Sequence, residues 1–414
     1  MSVWTPEWQV QINGGQDYTN LVLSNVTITS GRTDIYSQPR AGYCSLEILN
    51  LDEAPLTIDV NDNVLIRIKD STGTFVNLFG GDVTDIQVSV VNSSGTQSNQ
   101  IIRLTALGAL SKLPSSTTEG VLAKDFDGDQ IYSILSAELL NQWNEVAPAL
   151  TWADYDPTTI WTNAENVGLG EIDQPGDYEL AARSAATTDV YSLINTLATS
   201  GLGYIYEDSS GRIGYADSTH RSQYLATNGY TLISAQDALT SSISTITRIS
   251  DVRNKVTIQY KNGQEETAID SQSVAIYGAQ AHAIATTLEN SVDAEFQAEF
   301  YLGLRAFPQA QLQAITYTLA NSNIDDSDRD ALLNVFMGLP LDITNLPPNI
   351  LLGRFQGFVE GWRFSAGVNR LDITLTLSPT AFSLQSLKWE DVSVAESWNT
   401  LSSTLDWNSA TVVA

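Results

Sequence analysis

The sequence predicts a mainly β protein with α+β inserts, and three observations carry that expectation. The pattern Phe-x-Gly-x-Val occurs twice, as Phe79-Gly80-Gly81-Asp82-Val83 and Phe355-Gln356-Gly357-Phe358-Val359. Each copy follows an extended-looking segment, Leu56-Thr57-Ile58-Asp59-Val60 or Leu339-Pro340-Leu341-Asp342-Ile343, and precedes an alternating run, Ile102-Arg103-Leu104-Thr105-Ala106 or Leu371-Asp372-Ile373-Thr374-Leu375. Alternation of apolar and polar residues marks a strand with one buried face. Between the copies the apolar period lengthens from two to about four, which marks helices. Three shared positions in a window of five carry little information alone; the matching order of three features argues for two related β-domains, with Phe79, Gly81, Val83, Phe355, Gly357 and Val359 as corresponding positions.

Taken in order, the first 113 residues read as strand and turn. Trp8-Gln9-Val10-Gln11-Ile12 alternates and stops at Asn13-Gly14-Gly15. Alternating runs follow at 22–29, 43–49, 63–69 and 82–91, with Asp70-Ser71-Thr72-Gly73 and Asn92-Ser93-Ser94-Gly95 as hairpin loops. Short strands separated by such loops indicate a sandwich or barrel. After Leu113-Pro114, the residues Ile131, Leu135, Leu139 and Trp143 predict a helix with Asp127 and Asp129 near its positive end. A second helix starts at Asp189, buries Val190, Leu193, Ile194 and Leu197, and stops at Gly201. The run Gly203-Tyr204-Ile205-Tyr206-Glu207-Asp208-Ser209-Ser210-Gly211-Arg212-Ile213-Gly214-Tyr215 is a hairpin, so helices plus hairpin form an α+β insert. Strand pattern resumes at Lys255-Val256-Thr257-Ile258-Gln259-Tyr260. A helix over 291–307 is expected to face inward through Val292, Phe296, Phe300 and Leu304, and Pro308 ends it. A strand at 312–319 and a short helix capped by Ser327-Asp328-Arg329-Asp330 precede the second copy, which closes at Pro379. The expected domains are 1–113, a first β-domain; 114–247, the insert; 248–380, a second β-domain with inserted helices; and 381–414, a C-terminal Trp-containing segment.

The chain has 414 residues, which suggests about two to four domains, and 43% of them are hydrophobic. Its 20 basic and 48 acidic residues give a net charge of −28. That excess argues against a surface built to grip nucleic acid, because phosphate contacts need Lys and Arg to displace counterions. Cys44 is the only cysteine, so neither an intramolecular disulfide nor a thiolate metal cluster can form within one chain, and it reads as a small core residue. The N-terminus shows no secretory signal, and no apolar run approaches the roughly 20 residues of a membrane helix, so no stable membrane insertion is expected.

Catalytic patterns are largely missing. His220 and His282 are the only histidines, and neither stands in a metal-ligand spacing. There is no Gly-x-Ser-x-Gly elbow, and Gly201-Leu202-Gly203 follows a helix and enters a strand, the reverse of a phosphate-binding loop. Asp125-Phe126-Asp127-Gly128-Asp129 matches a calcium loop at three positions, but its glycine is displaced and Ser136 stands where a bidentate Glu belongs. Paired carboxylates could serve a glycosidase, but 48 acids guarantee chance pairs. The expectation is a protein that is not an enzyme, with no metal and no cofactor. Trp389, Trp398 and Trp407 recur at intervals of nine, as do Trp143, Trp152 and Trp161. Nine residues alternate sides of a helix or strand, so neither trio makes a stripe. The last trio reads either as anchors for a partner chain or as loop anchors to the core, with sugar stacking as a further use.

The order of these motifs resembles the hub proteins of bacteriophage tails. Leu56 to Asp62, Phe79 to Ile86, the hairpin Gly203 to Tyr215, and Ser273-Val274-Ala275-Ile276-Tyr277-Gly278 ahead of the Val292 helix carry the resemblance across about residues 8 to 380. Such hubs, often described as minor tail proteins, imply two tube-like β-domains per chain and a homotrimer at the distal end of the virion tail. The resemblance implies a symmetry adaptor. Three chains with two similar domains each would abut a sixfold tail tube protein above and a threefold central spike, fibre or other tip protein below. A tape measure protein is a further implied partner, and genomic DNA would transit the acidic lumen during host cell entry without specific binding. The protein would be made in the host cytoplasm. The alternative is a receptor- or carbohydrate-binding tail-tip protein, suggested by the tryptophans. No fused lysozyme or peptidase signature is present.

Overall fold

The structure, a computed structural model, describes residues 4–13, 16–18, 26–50, 57–92, 99–142, 171–367 and 370–384. The first third forms strands β1 (Trp8–Ile12), β2 (Gln16–Tyr18), β3 (Thr27–Gly31), β4 (Tyr43–Asn50), β5 (Asn63–Lys69), β6 (Phe75–Asn92) and β7 (Asn99–Leu107). The middle contains β8 (Thr117–Thr118), β9 (Asp125–Phe126), α1 (Asp127–Gln142), β10 (Glu179–Leu180), β11 (Thr188–Asp189) and α2 (Val190–Ser200). It continues through the hairpin β12 (Tyr204–Glu207) and β13 (Ile213–Ala216) to α3 (His220–Asn228), β14 (Thr231–Ser234) and β15 (Ser244–Ile246). A small α/β unit follows: β16 (Lys255–Tyr260), β17 (Gln264–Ile269), α4 (Ser271–Tyr277), β18 (Ala281–Ala285) and α5 (Ser291–Arg305). The chain closes with β19 (Gln311–Thr318), α6 (Asp326–Leu333), β20 (Pro340–Thr344), β21 (Phe355–Gly367) and β22 (Arg370–Pro379).

The fold is mainly β with an α+β insert, and its β part is one open 13-stranded sheet. The principal path runs β15-β19-β22-β21-β3-β4-β7-β6-β5-β1-β2, with β20 on β21 and β14 parallel to β20. The expected barrel or sandwich closure does not occur. β3 pairs β4 within its own unit and then β21 of the other, so the edge that closure would need is used to continue the sheet. Alternation does predict the buried face: Val64, Ile66 and Ile68 of β5 are fully buried while their neighbours are not.

Among the described residues two large hydrophobic cores result, beside a small cluster of Leu225, Phe358 and Leu384. The larger lies along the sheet and joins Ile28, Leu46, Ile66 and Phe79 to Ile315, Phe355, Phe364 and Ile373. The smaller packs Ile131 and Leu135 of α1 and Ile194 and Leu197 of α2 with Val256 and Ile258 of β16 and Ala298 of α5. Residues between 248 and 380 thus contribute to both cores, and Ile233, inside 114–247, belongs to the sheet core.

Three local expectations are corrected. Residues 57–59 form no strand and 60–61 form a turn; the strand paired with the first motif is β5. The first half of the α5 stripe is turned outward: Val292 and Phe296 are 71% and 55% exposed, while Leu304 is buried as expected and Ala294, Gln297 and Ala298 form the rest of the inner face. Small residues on the inner face let the helix lie close to the β16–β17 sheet, and Phe296 stacks on Phe300 with ring centroids 6.2 Å apart. Helix α6 is capped by Asp325, whose carboxylate accepts the Asp328 N–H at 2.8 Å, rather than by Ser327.

Candidate assembly edges and the joint that positions them

The two Phe-x-Gly-x-Val motifs sit at corresponding places. Gly81 pairs with Val64 of β5 and Gly357 with Leu341 of β20; Val83 pairs with Ala106 of β7 and Val359 with Leu377 of β22. A bulge follows each valine, between Val83 and Asp85 in one copy and between Val359 and Gly361 in the other. The glycines answer one steric demand. A Cβ on Gly81 would lie 2.3 Å from the Leu107 carbonyl oxygen and 2.8 Å from the Phe79 ring. On Gly357 it would lie 2.2 Å from the Ser378 carbonyl oxygen and 2.7 Å from the Phe355 ring. In each copy the phenylalanine two residues back folds over the glycine, on the same strand face.

The correspondence extends to five strands. The order β3-β4-β7-β6-β5 matches β15-β19-β22-β21-β20, with β15 beside β19 as β3 is beside β4. One join is made inside the chain: Ile28 of β3 pairs with Phe364 of β21, and Phe364 is 1% exposed. Val88 of β6 occupies the position corresponding to Phe364. It continues the buried row of Ile48 and Ile102, yet is 49% exposed, and Val90 is 60% exposed. Among the described residues no strand covers the outer edge of β6 beyond Asp82, nor the outer edge of β15. Among the described residues two strand edges are therefore left unpaired.

The internal join is locked by buried charge. The second bulge places Glu360 inward, where Arg221 of α3 donates two bonds to its carboxylate at 2.8 and 2.9 Å. Arg32, just past β3, donates a third at 2.6 Å, and the Ser378 hydroxyl a fourth at 2.5 Å. Burial alone would raise the Glu360 pKa, but the Arg221 and Arg32 charges hold it down to about 2. Gly31 (φ +84°) and Gly361 pair directly there, since a Cβ on Gly31 would lie 2.4 Å from the Glu360 carbonyl oxygen. The β12–β13 hairpin seats on the first unit: its Ser210-Gly211 tip rests on Gly80, and buried Glu207 accepts the Gly42 N–H and, at 3.1 Å, the Leu110 N–H. Burial pushes the Glu207 carboxyl up to about 7.

Asp127 and His220, both considered for chemistry, have structural partners. Asp127 is buried at the start of α1, accepting the Tyr215 hydroxyl and, at 2.8 Å, the Tyr178 N–H; burial raises its pKa to about 7. His220 contacts Asp173 through Nδ1 at 2.5 Å, and Asp173 also accepts the Asp217 N–H. Cys44 is fully buried in the sheet core, where burial pushes its thiol pKa up. Trp389, Trp398 and Trp407, with Trp143, Trp152 and Trp161, lie outside the described residues. Glu360, Arg221 and Arg32 were not anticipated; the only sequence signal was an acid directly after the second motif, where the first has Thr84.

The chain matches no described protein family and no curated protein. Solved structures do share its fold. The prophage MuSo2 43 kDa tail protein from Shewanella oneidensis aligns with a TM-score of 0.55 at 12% identity, over 90% of this chain and 98% of that one. The tail protein from Neisseria meningitidis MC58 aligns with a TM-score of 0.57 at 10% identity, over 92% and 98%. This chain has the fold of phage tail proteins, a likeness that spans nearly the whole of each.

Proposed function

We propose that the chain is a structural hub, or minor tail, protein that forms a homotrimeric ring at the distal end of a phage tail. The ring adapts a sixfold tail tube to a threefold spike or fibre and passes DNA during host entry. The observation that carries this reading is the repeated five-strand unit with one join made and its counterpart open. If β15 of one copy adds to the outer edge of β6 of the next, the contact between chains repeats the contact within a chain. That contact is heterologous, so it generates a ring where the rotation between copies closes, and a closed ring of three copies brings six similar units around one axis. The net charge of −28 suits a passage through which DNA slides without adhering. The two related units and their bounds near 1–113 and 248–380 are part of the proposal, as is placement in the virion.

Native mass measurement tests the assembly. Three chains of 45.0 kDa are expected together, in the purified protein or on mixing with tail components. Replacing both exposed edge valines, Val88→Lys with Val90→Lys, should leave the monomer folded and abolish the trimer. A protein that stays monomeric with its tail partners, or a double variant that still trimerises, would sink the proposal.

A further inference from the structure

A cavity of about 230 Å³ opens between the loop after β3, the ends of α2 and α5, and residues 382–383. Four of the chain's 20 Lys and Arg line it: Arg32, Arg221, Arg253 and Arg305. Arg32 and Arg221 share one counter-charge, Glu360. Arg305 and Arg253 have no carboxylate within ion-pair distance among the described residues. Arg305 is 3% exposed; its Nη2 donates to the Phe382 carbonyl at 3.0 Å and the Tyr36 hydroxyl interacts with the guanidinium, but Nε and Nη1 have no hydrogen-bond partner. Rings partly offset the desolvation, with the guanidinium 4.0 Å from the Phe382 centroid and 4.8 Å from that of Tyr36. Arg221 and Arg253 each leave Nε unbonded as well.

A guanidinium stays charged in a protein, and burying a charge without a counter-ion is unfavourable. Among the described residues Asp217 is the one carboxylate lining the cavity, and its Oδ1 already accepts the N–H groups of Thr219 and His220. His282, which also lines the cavity, has its pKa lowered by burial and by Arg253 and Arg305, which matches a locally positive interior.

We propose that this cavity binds a small oxyanion of the phosphate or carboxylate class, with Arg305 as the principal donor and Arg253 beside it. The planar fork of a guanidinium suits the paired oxygens of either group. All the residues come from one chain, so the site stands or falls independently of ring assembly. An occupant would tie the 32–38 loop and residues 382–383 to the end of α5, so binding reads out as stability.

The test is calorimetric titration and thermal melting of the full chain at constant ionic strength. Inorganic phosphate and acetate are titrated separately against chloride. A saturable response to phosphate, to acetate or to both, half-complete in the millimolar range or below, is expected, and its selectivity assigns the class. Arg305→Met, which keeps the stem and removes the charge, should weaken the response at least about tenfold. Arg253→Met, at a less buried position, should weaken it too, and serves if the first variant does not fold. No saturable response beyond chloride, or one retained in the variants, overturns the proposal.

Discussion

Glycine at positions 81 and 357 is a matter of space, not of turn geometry. Neither has a positive φ, and in both the obstruction is a backbone carbonyl within 2.3 Å of the missing Cβ. Backbone in a paired strand yields less than a side chain tip, so the strands must separate or the phenylalanine must leave its rotamer. Gly81→Ala and Gly357→Ala are expected to destabilise the protein by about 1–3 kcal/mol each. Gly367 lies near the end of β21, and the nearest atom to its Cβ would be 3.7 Å away, so Gly367→Ala serves as the neutral control. Denaturant unfolding of the three variants decides; three equal losses would refute the steric account. Chain composition shows glycines, but only the cross-strand register shows which ones face a carbonyl.

The hairpin β12–β13 and helix α1 are held by carboxyls whose folded pKa lies above the ordinary value. Glu207 and Asp127 are both pushed up to about 7 by burial, and burial with Asp173 raises Asp217. A raised carboxyl pKa means the native state binds more protons than the unfolded chain between the two values, so stability falls as pH rises across that window. Glu360 has the opposite sign, but its depressed pKa places its loss below about pH 4.5, outside the same window. The melting temperature should therefore peak near pH 4–5 and decline toward pH 8. Glu207→Gln should flatten that decline by up to one proton, about 1.4 kcal/mol per pH unit, whatever it does to absolute stability. Melting that rises steadily to pH 8 would contradict it. These elements were themselves legible: helix period, the helix start at Asp189 and the Ser-Gly turn all report local geometry, and the structure adds that Asp189 caps the helix. What was not legible was docking. Periodicity finds an amphipathic stripe, but α5 buries its alanines and exposes Val292 and Phe296, because close approach to a sheet favours small side chains over apolar bulk. The buried Glu360–Arg221–Arg32 cluster joins residues hundreds of positions apart, and no single-chain pattern announces such a meeting.

The open edges define an arrangement that can be tested at single positions. Within the chain, Ser365 pairs with Thr27 and Arg363 with Thr29. The repeat places Ser89 where Ser365 is and Gln87 where Arg363 is, while Ser244 and Thr245 of β15 stand where Thr27 and Thr29 do, by their pairing with β19. If chains join as the units do, Ser89 of one copy faces Ser244 of the next, with Cβ atoms about 4.5–5.5 Å apart. Ser89→Cys combined with Ser244→Cys should therefore cross-link on mild oxidation or with a short bis-thiol reagent. The sole native thiol, Cys44, is fully buried and will not compete. Because the contact is head to tail, each chain carries both halves, and a closed ring of three yields a covalent trimer on a denaturing gel, with no longer ladder. A continuing ladder would indicate an open filament. Absence of any cross-link in a trimer of confirmed mass would mean that the chains meet through another surface, and the pairing of β15 with β6 would have to be abandoned.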